Sequence, residues 1–82
     1  MPYFVYIIEC ANKALYTGIT TDLKRRFEEH KRGQGCRYTA YNPAVKLRYS
    51  EKRRTRSAAS KREAEIKSWP RTKKLALIDS RD

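Results

Sequence analysis

Residues Tyr3 to Cys10 are apolar on both alternating sets, with Phe4, Tyr6 and Ile8 on one side and Tyr3, Val5 and Ile7 on the other. That pattern predicts a strand covered on both faces. A polar turn at Ala11, Asn12 and Lys13 leads into a second run of strand-favouring residues, Ala14 to Ile19, so the two predict an antiparallel hairpin. With the loop at 11–13, paired positions sum to 24, which sets Tyr16 opposite Ile8. Tyr16 then shares a face with Tyr6, at the diagonal position about 7–8 Å away at Cα. A loop shorter by one residue would send the two phenols to opposite faces, so this register carries the prediction.

Gly18 closes the second run, and Thr20, Thr21 and Asp22 supply N-cap chemistry for a helix over Thr21 to Arg32 that Gly33 ends. Leu23, Arg26, Phe27 and His30 fall at i, i+3, i+4 and i+7 of this helix, one face at 100° per residue. Arg26 and His30 therefore point toward the core with Leu23 and Phe27. Buried polar groups are costly unless partnered, which marks this face as the wall of a site.

The stretch up to Pro43, carrying Gly33, Gly35 and Asn42, reads as a loop. Val45, Leu47 and Tyr49 then alternate with Lys46, Arg48 and Ser50, as in an edge strand with one solvated face. After the basic turn Lys52 to Arg56, Ser57 caps a helix whose apolar stripe is Ala59, Ile66 and Trp69. Relative to Ala59, Glu63 lies at about 40° and Ile66 at about 340°, so this carboxylate falls inside the stripe and Glu65 outside it. Pro70 begins a short last helix that packs through Leu75 and Ile78. The order β-β-α-β-α-α predicts an α+β domain with a small three-stranded antiparallel sheet flanked by helices.

At 82 residues, the chain is expected to form one domain over 1–82, near the lower limit at which burial alone supports a fold. Twenty Lys plus Arg against nine Asp plus Glu leave a net charge of +11, which points to a polyanionic partner, nucleic acid first. No run approaches the roughly 18 apolar residues of a membrane span, and no signal-peptide pattern opens the chain, so a cytoplasmic protein without a membrane partner is expected. Cys10 and Cys36 neither build a disulfide framework nor complete a zinc site and are expected as free thiols. Lys24, Arg25, Lys31, Arg32, Arg37, Lys46 and Arg48 are candidate phosphate contacts. Tyr38 and Tyr41 flank this basic stretch and could stack on unpaired bases.

Tyr6, Tyr16, Arg26, His30 and Glu63 form a set with one coherent use. Phosphodiester hydrolysis needs an activated water, charge stabilisation at the phosphorus and help for the departing oxygen. One carboxylate, Glu63, with several waters is an adequate site for a single Mg²⁺ or Mn²⁺ ion. Arg26 would present a planar fork of donors to the non-bridging oxygens. A tyrosine with an ordinary pKa near 10 needs a second phenol, a cation or His30 to act as a base. The alternative use of Glu63 and Arg26 is an ion pair that closes two helices over the sheet.

Phe4-Val5-Tyr6, then Tyr16-Thr17-Gly18, then Asp22-Leu23-Lys24-Arg25-Arg26-Phe27 with His30, and the downstream Ala59-Ser60-Lys61-Arg62-Glu63, resemble the signature of the GIY-YIG endonuclease superfamily. The likeness spans essentially the whole chain and is greatest to the short, stand-alone bacterial members. It implies that Tyr6 and Tyr16 match the two motif tyrosines, either of which could be the general base. It further implies that Arg26 matches the phosphate-binding arginine, His30 the histidine that assists the tyrosine or the leaving group, and Glu63 the metal ligand. Phe4 and Val5 stand where the motif has Gly-Ile, and Thr17 replaces the middle residue of the second triplet. The expected function is a metal-dependent endonuclease acting on DNA, favoured over RNA, at branched or damaged sites, with a protein partner able to supply specificity. The alternative is a nucleic-acid-binding module of the same fold that lacks turnover.

Overall fold

In the computed structural model, which describes residues 2–80, strands β1 (Tyr3–Cys10) and β2 (Leu15–Thr20) form the hairpin and helix α1 (Leu23–Lys31) follows. A short helix α2 (Arg37–Tyr41), strand β3 (Ala44–Arg53) and helices α3 (Arg56–Lys67) and α4 (Arg71–Asp79) complete the chain. The sheet order is β2-β1-β3, all antiparallel. The α+β class and the three-stranded sheet are as the sequence predicts. The central place of β1 explains why neither of its faces is polar.

The hairpin register is the one expected from a loop at 11–13, with Ile8 paired to Tyr16 and Tyr6 to Gly18. The loop is held by Lys13 N–H donating to Cys10 O at 2.8 Å and Cys10 N–H to Ala14 O at 2.9 Å. Lys13 takes φ 70°, the left-handed residue that such a loop requires to match the twist of its strands.

Two cores lie on opposite faces of β1. Val5 and Ile7 pack with Tyr49, Ala59, Ile66 and Ile78, beneath α3 and α4. Tyr6, Ile8 and Cys10 pack with Ala44, Tyr16, Leu23 and Phe27, beneath α1. Both cysteines are free thiols, as expected. The second core is the one that His30 enters from α1.

Three expectations are corrected. Residues 37–41, read as loop, form α2, because Thr39 Oγ1 accepts from Cys36 N–H at 3.2 Å and tethers the first turn. Helix α3 begins two residues earlier than a Ser57 cap would allow: Thr55 is the N-cap, its Oγ1 accepting from Ala58 N–H at 3.1 Å. The alternation in β3 does not hold either, since pairing with β1 slips between Ile7 and Ile8 and again between Glu9 and Cys10.

The first slip leaves Arg48 unpaired in the ladder, so Tyr49 joins Ile7 on one face while Leu47 joins Ile8 on the other. Val45 is left 56% exposed and Leu47 38% exposed. Arg48, expected on a solvated face, is instead half-buried in an ion pair with Glu9. On the far face Arg62 joins the layers, donating to both Glu51 oxygens at 3.2 Å and lying 5.1 Å over the Trp69 ring.

Replacing Ile66, which is fully buried between sheet and helix, with Ala should cost about 2–5 kcal/mol. Val45→Thr, on the strand segment that the slips expose, should stay within about 0.5 kcal/mol of the parent. Urea unfolding of both variants measures the difference.

Candidate active site

The Tyr6 phenol crosses over β2 at the one position where no side chain obstructs it. A Cβ on Gly18, its cross-strand partner, would sit 2.5 Å from Tyr6 Oη. His30 reaches the same point from the last turn of α1, a helix set by Asp22, whose Oδ1 accepts from Arg25 N–H at 3.0 Å. The imidazole is fully buried, and Gly35 makes room for it: a Cβ there would lie 2.2 Å from His30 Nδ1. Tyr6 Oη and His30 Nε2 are 2.8 Å apart, and His30 Nδ1 is 2.9 Å from Thr39 Oγ1.

Tyr16 closes one side. Its ring lies 5.3 Å from the His30 ring and stacks on Tyr38 at 6.2 Å with 10° between planes. Asn12 Nδ2 donates to Tyr38 Oη at 3.0 Å, which ties this stack to the hairpin loop.

Arg26, one turn before His30, is half-buried, pairs with Glu29 at 3.0 Å and lies near enough to the Tyr6 phenol to act on its ionisation. Glu63 approaches from α3, near enough to act on both phenols electrostatically. Its carboxylate pairs with Lys67 Nζ at 3.4 Å, and that ammonium lies 5.7 Å over the Tyr16 ring. The Glu63–Arg26 ion pair considered from the sequence does not form; each finds its partner on its own helix, as i,i+3 and i,i+4 neighbours do. All five side chains expected from the sequence thus converge on one place.

Protonation follows from this packing. Burial raises the Tyr6 pKa, opposed by the neighbouring Arg26 guanidinium. Tyr16 is pushed much further up, by burial, by its contact with Cys36 and by the charges around it, Glu63 included. His30 is lowered by burial and then by Arg26, so its imidazole is neutral at pH 7. Burial pushes the Cys36 thiol up, but the Thr39 hydroxyl and amide, the Tyr16 phenol and the Tyr38 amide outweigh it and leave the thiol below its ordinary value.

Among the described residues no cluster of three or more His, Cys, Asp or Glu could hold a metal. A half-buried Glu63 whose ion-pair partner is the exposed Lys67 ammonium fits the other way to bind a hard divalent cation, one carboxylate with water supplying the remaining ligands. Around the site Lys24, Arg25, Lys31, Arg32 and Arg37 are exposed, and Lys46 is exposed farther off on β3. Arg48 is engaged by Glu9, and one face of Tyr38 is taken by Tyr16. Tyr41 is 82% exposed.

Sequence reasoning missed Thr39, Gly35, Cys36 and Lys67. The spacing of Cys36 and Thr39 ahead of Asn42-Pro43 is a capping pattern that could have revealed α2 and, with it, Thr39. Lys67, four residues after Glu63, is a helical neighbour that could have been read as its partner.

A strand hairpin presents two phenols, one helix arginine and histidine, and a later helix glutamate. The chain belongs to the GIY-YIG family: residues 2–76 match the model of the GIY-YIG catalytic domain. That membership implies nuclease activity in general terms and a nucleic-acid substrate, in a family whose nucleases are generally dependent on divalent metals. The chain is similar to the UPF0213 protein SAV0488 of Staphylococcus aureus strain Mu50 and the UPF0213 protein SA0446 of strain N315. Each is 49% identical over 79 residues, covering 96% of either chain. It is also similar to the solution NMR structure of the UPF0213 protein BH0048 from Bacillus halodurans, with a TM-score of 0.61 and 36% identity over 96% of this chain and 84% of that one. No helix among the described residues is long and apolar enough to cross a membrane.

Gly18→Ala should force the Tyr6 phenol from its place and destabilise the fold by about 1–3 kcal/mol, read as a lower urea midpoint. A second expectation concerns acid. The folded His30 lies below its ordinary 6.5, so the unfolded chain takes up the proton first. Stability from the neutral imidazole is complete above about pH 6.5 and is lost as pH falls below it toward the folded value. Thermal unfolding from about pH 7.5 to about pH 5 should show the midpoint falling, and His30→Gln should flatten that limb while lowering stability throughout.

Proposed function

We propose that residues 1–82 form one GIY-YIG-like domain that acts in the cytoplasm as an Mg²⁺- or Mn²⁺-dependent endonuclease. Its substrate is DNA, cut at branched or damaged sites, with a protein partner supplying selectivity. The observation that carries this reading is the 2.8 Å contact of Tyr6 Oη with a neutral, fully buried His30, with Arg26 and Glu63 beside it.

In this reading Tyr6 is the general base. It alone of the two motif tyrosines has both a neutral nitrogen to receive its proton and a guanidinium to favour the phenolate. Tyr16, beside Cys36 and Glu63, is held protonated and bounds the site. As water attacks phosphorus, its proton passes to Tyr6 and the phenolic proton passes to His30 Nε2. The P–O bond opposite the attacking oxygen breaks, and the departing oxygen leaves protonated by solvent. Arg26 donates two hydrogen bonds to the non-bridging oxygens, where negative charge grows. Glu63 would hold a divalent cation, which would supply further charge stabilisation at the phosphorus.

Exposed Lys24, Arg25, Lys31, Arg32 and Arg37 provide affinity through backbone phosphates, with Lys46 a further contact on β3. Tyr38, fixed against Tyr16, borders the site where a displaced base could stack on its free side.

The test incubates plasmid and branched oligonucleotides with purified protein and Mg²⁺ or Mn²⁺. Tyr6→Phe is expected to slow cleavage by about 10²-fold or more, Tyr16→Phe by less, and Glu63→Ala to remove the metal-dependent rate. Equal background from the parent and Glu63→Ala would refute turnover, and DNA binding that then weakens steeply with salt would identify a binding module instead.

A further inference from the structure

We propose that Thr39 is a positioning residue that fixes the His30 imidazole in the tautomer protonated on Nδ1, leaving Nε2 free to accept the Tyr6 proton. The consequence for turnover rests on the nuclease reading above; the tautomer itself does not.

The argument is a count of protons and lone pairs around one hydroxyl. Thr39 Oγ1 lies 2.9 Å from His30 Nδ1, 3.2 Å from Cys36 N and 3.2 Å from Cys36 O, with Cys36 Sγ at 3.5 Å. A hydroxyl has one proton and two lone pairs. The Cys36 carbonyl can only accept, and the Thr39 hydroxyl donates to it at 3.2 Å beside the Ala40 N–H at 3.1 Å, while the Cys36 thiol can either donate or accept. The Cys36 amide can only donate, so it occupies one lone pair. With the Thr39 proton on Cys36 O, the other lone pair faces His30 and Nδ1 donates to it; the buried Tyr6 phenol agrees, since Nε2 at 2.8 Å is placed to accept its proton.

His30 and Thr39 are both fully buried, so these groups have to satisfy one another internally. With the proton on Nδ1, a neutral imidazole carries its lone pair on Nε2, 2.8 Å from Tyr6 Oη. The phenol then donates to it. The opposite tautomer would aim an N–H at the phenol and have no capacity to take its proton. Thr39 touches none of the reacting atoms and works through His30 alone. It couples α2 to the chemistry, since the same oxygen caps that helix.

The chain holds one histidine, so its imidazole nitrogens are unambiguous in a ¹⁵N NMR experiment. In the full-length protein at neutral pH, without DNA or metal, the expected spectrum has a protonated Nδ1 and an unprotonated, hydrogen-bond-accepting Nε2. Thr39→Ser keeps the hydroxyl and should preserve this pattern and most of the cleavage rate. Thr39→Val removes it and should shift protonation toward Nε2, with cleavage falling by about 10²-fold. A parent spectrum showing Nε2–H would overturn the proposal, as would a folded Thr39→Val that kept the parent's tautomer. Should Thr39→Val not fold, the parent and Thr39→Ser spectra decide. An inactive parent with Nδ1–H would remove the nuclease reading and leave the tautomer standing; an active one with Nε2–H would do the reverse.

Discussion

A hydrogen bond between a phenol and an imidazole, both sealed from solvent, constrains more of this molecule than any apolar contact. Tyr6 and His30 occupy core positions on β1 and α1, where an unpartnered polar group would cost about 1–3 kcal/mol. Bringing the two together requires a strand partner without a side chain, Gly18, and a loop residue without one, Gly35. It also requires a third polar group for the remaining imidazole nitrogen, and Thr39 on α2 supplies it. Two glycines and the extra short helix thus follow from a single buried contact.

The electrostatics of the site contrast with those of the surface. The chain carries +11 overall, yet the buried pair is neutral: burial raises the phenol and lowers the imidazole. Formal charge appears only at the rim, on Arg26 and Glu63, each held by a partner on its own helix. Half-exposed pairs of this kind are weak, so an arriving phosphate or cation competes with them at little cost. The proposed reaction draws on that division, with a dry proton acceptor inside and exchangeable charges at the mouth.

How far this was legible beforehand varied with the range of the interaction. The hairpin register followed from a turn counted in residues, and with it the shared face of Tyr6 and Tyr16. Helical angles placed His30 inward and Glu63 in the apolar stripe. In β3 the same reasoning failed, because the first slip in its pairing with β1 moves Leu47 and Tyr49 to opposite faces and period-two counting assumes an unbroken ladder. Helix α2 escaped because five residues held by one side-chain cap have almost no periodicity to read.

The amino-acid order by itself determined the elements other than α2 and, outside β3, the faces they present, since turn length, capping and the 3.6-residue repeat act over a few neighbours. It thereby nominated the five polar side chains. Only the tertiary structure decided which atoms meet: Tyr6 with His30, His30 with Thr39, and Arg26 and Glu63 each with a neighbour rather than with each other. The reason is physical. A buried hydrogen bond depends on the packing of strand, helix and loop to within fractions of an ångström, and that distance is a property of the assembled core, not of any segment within it.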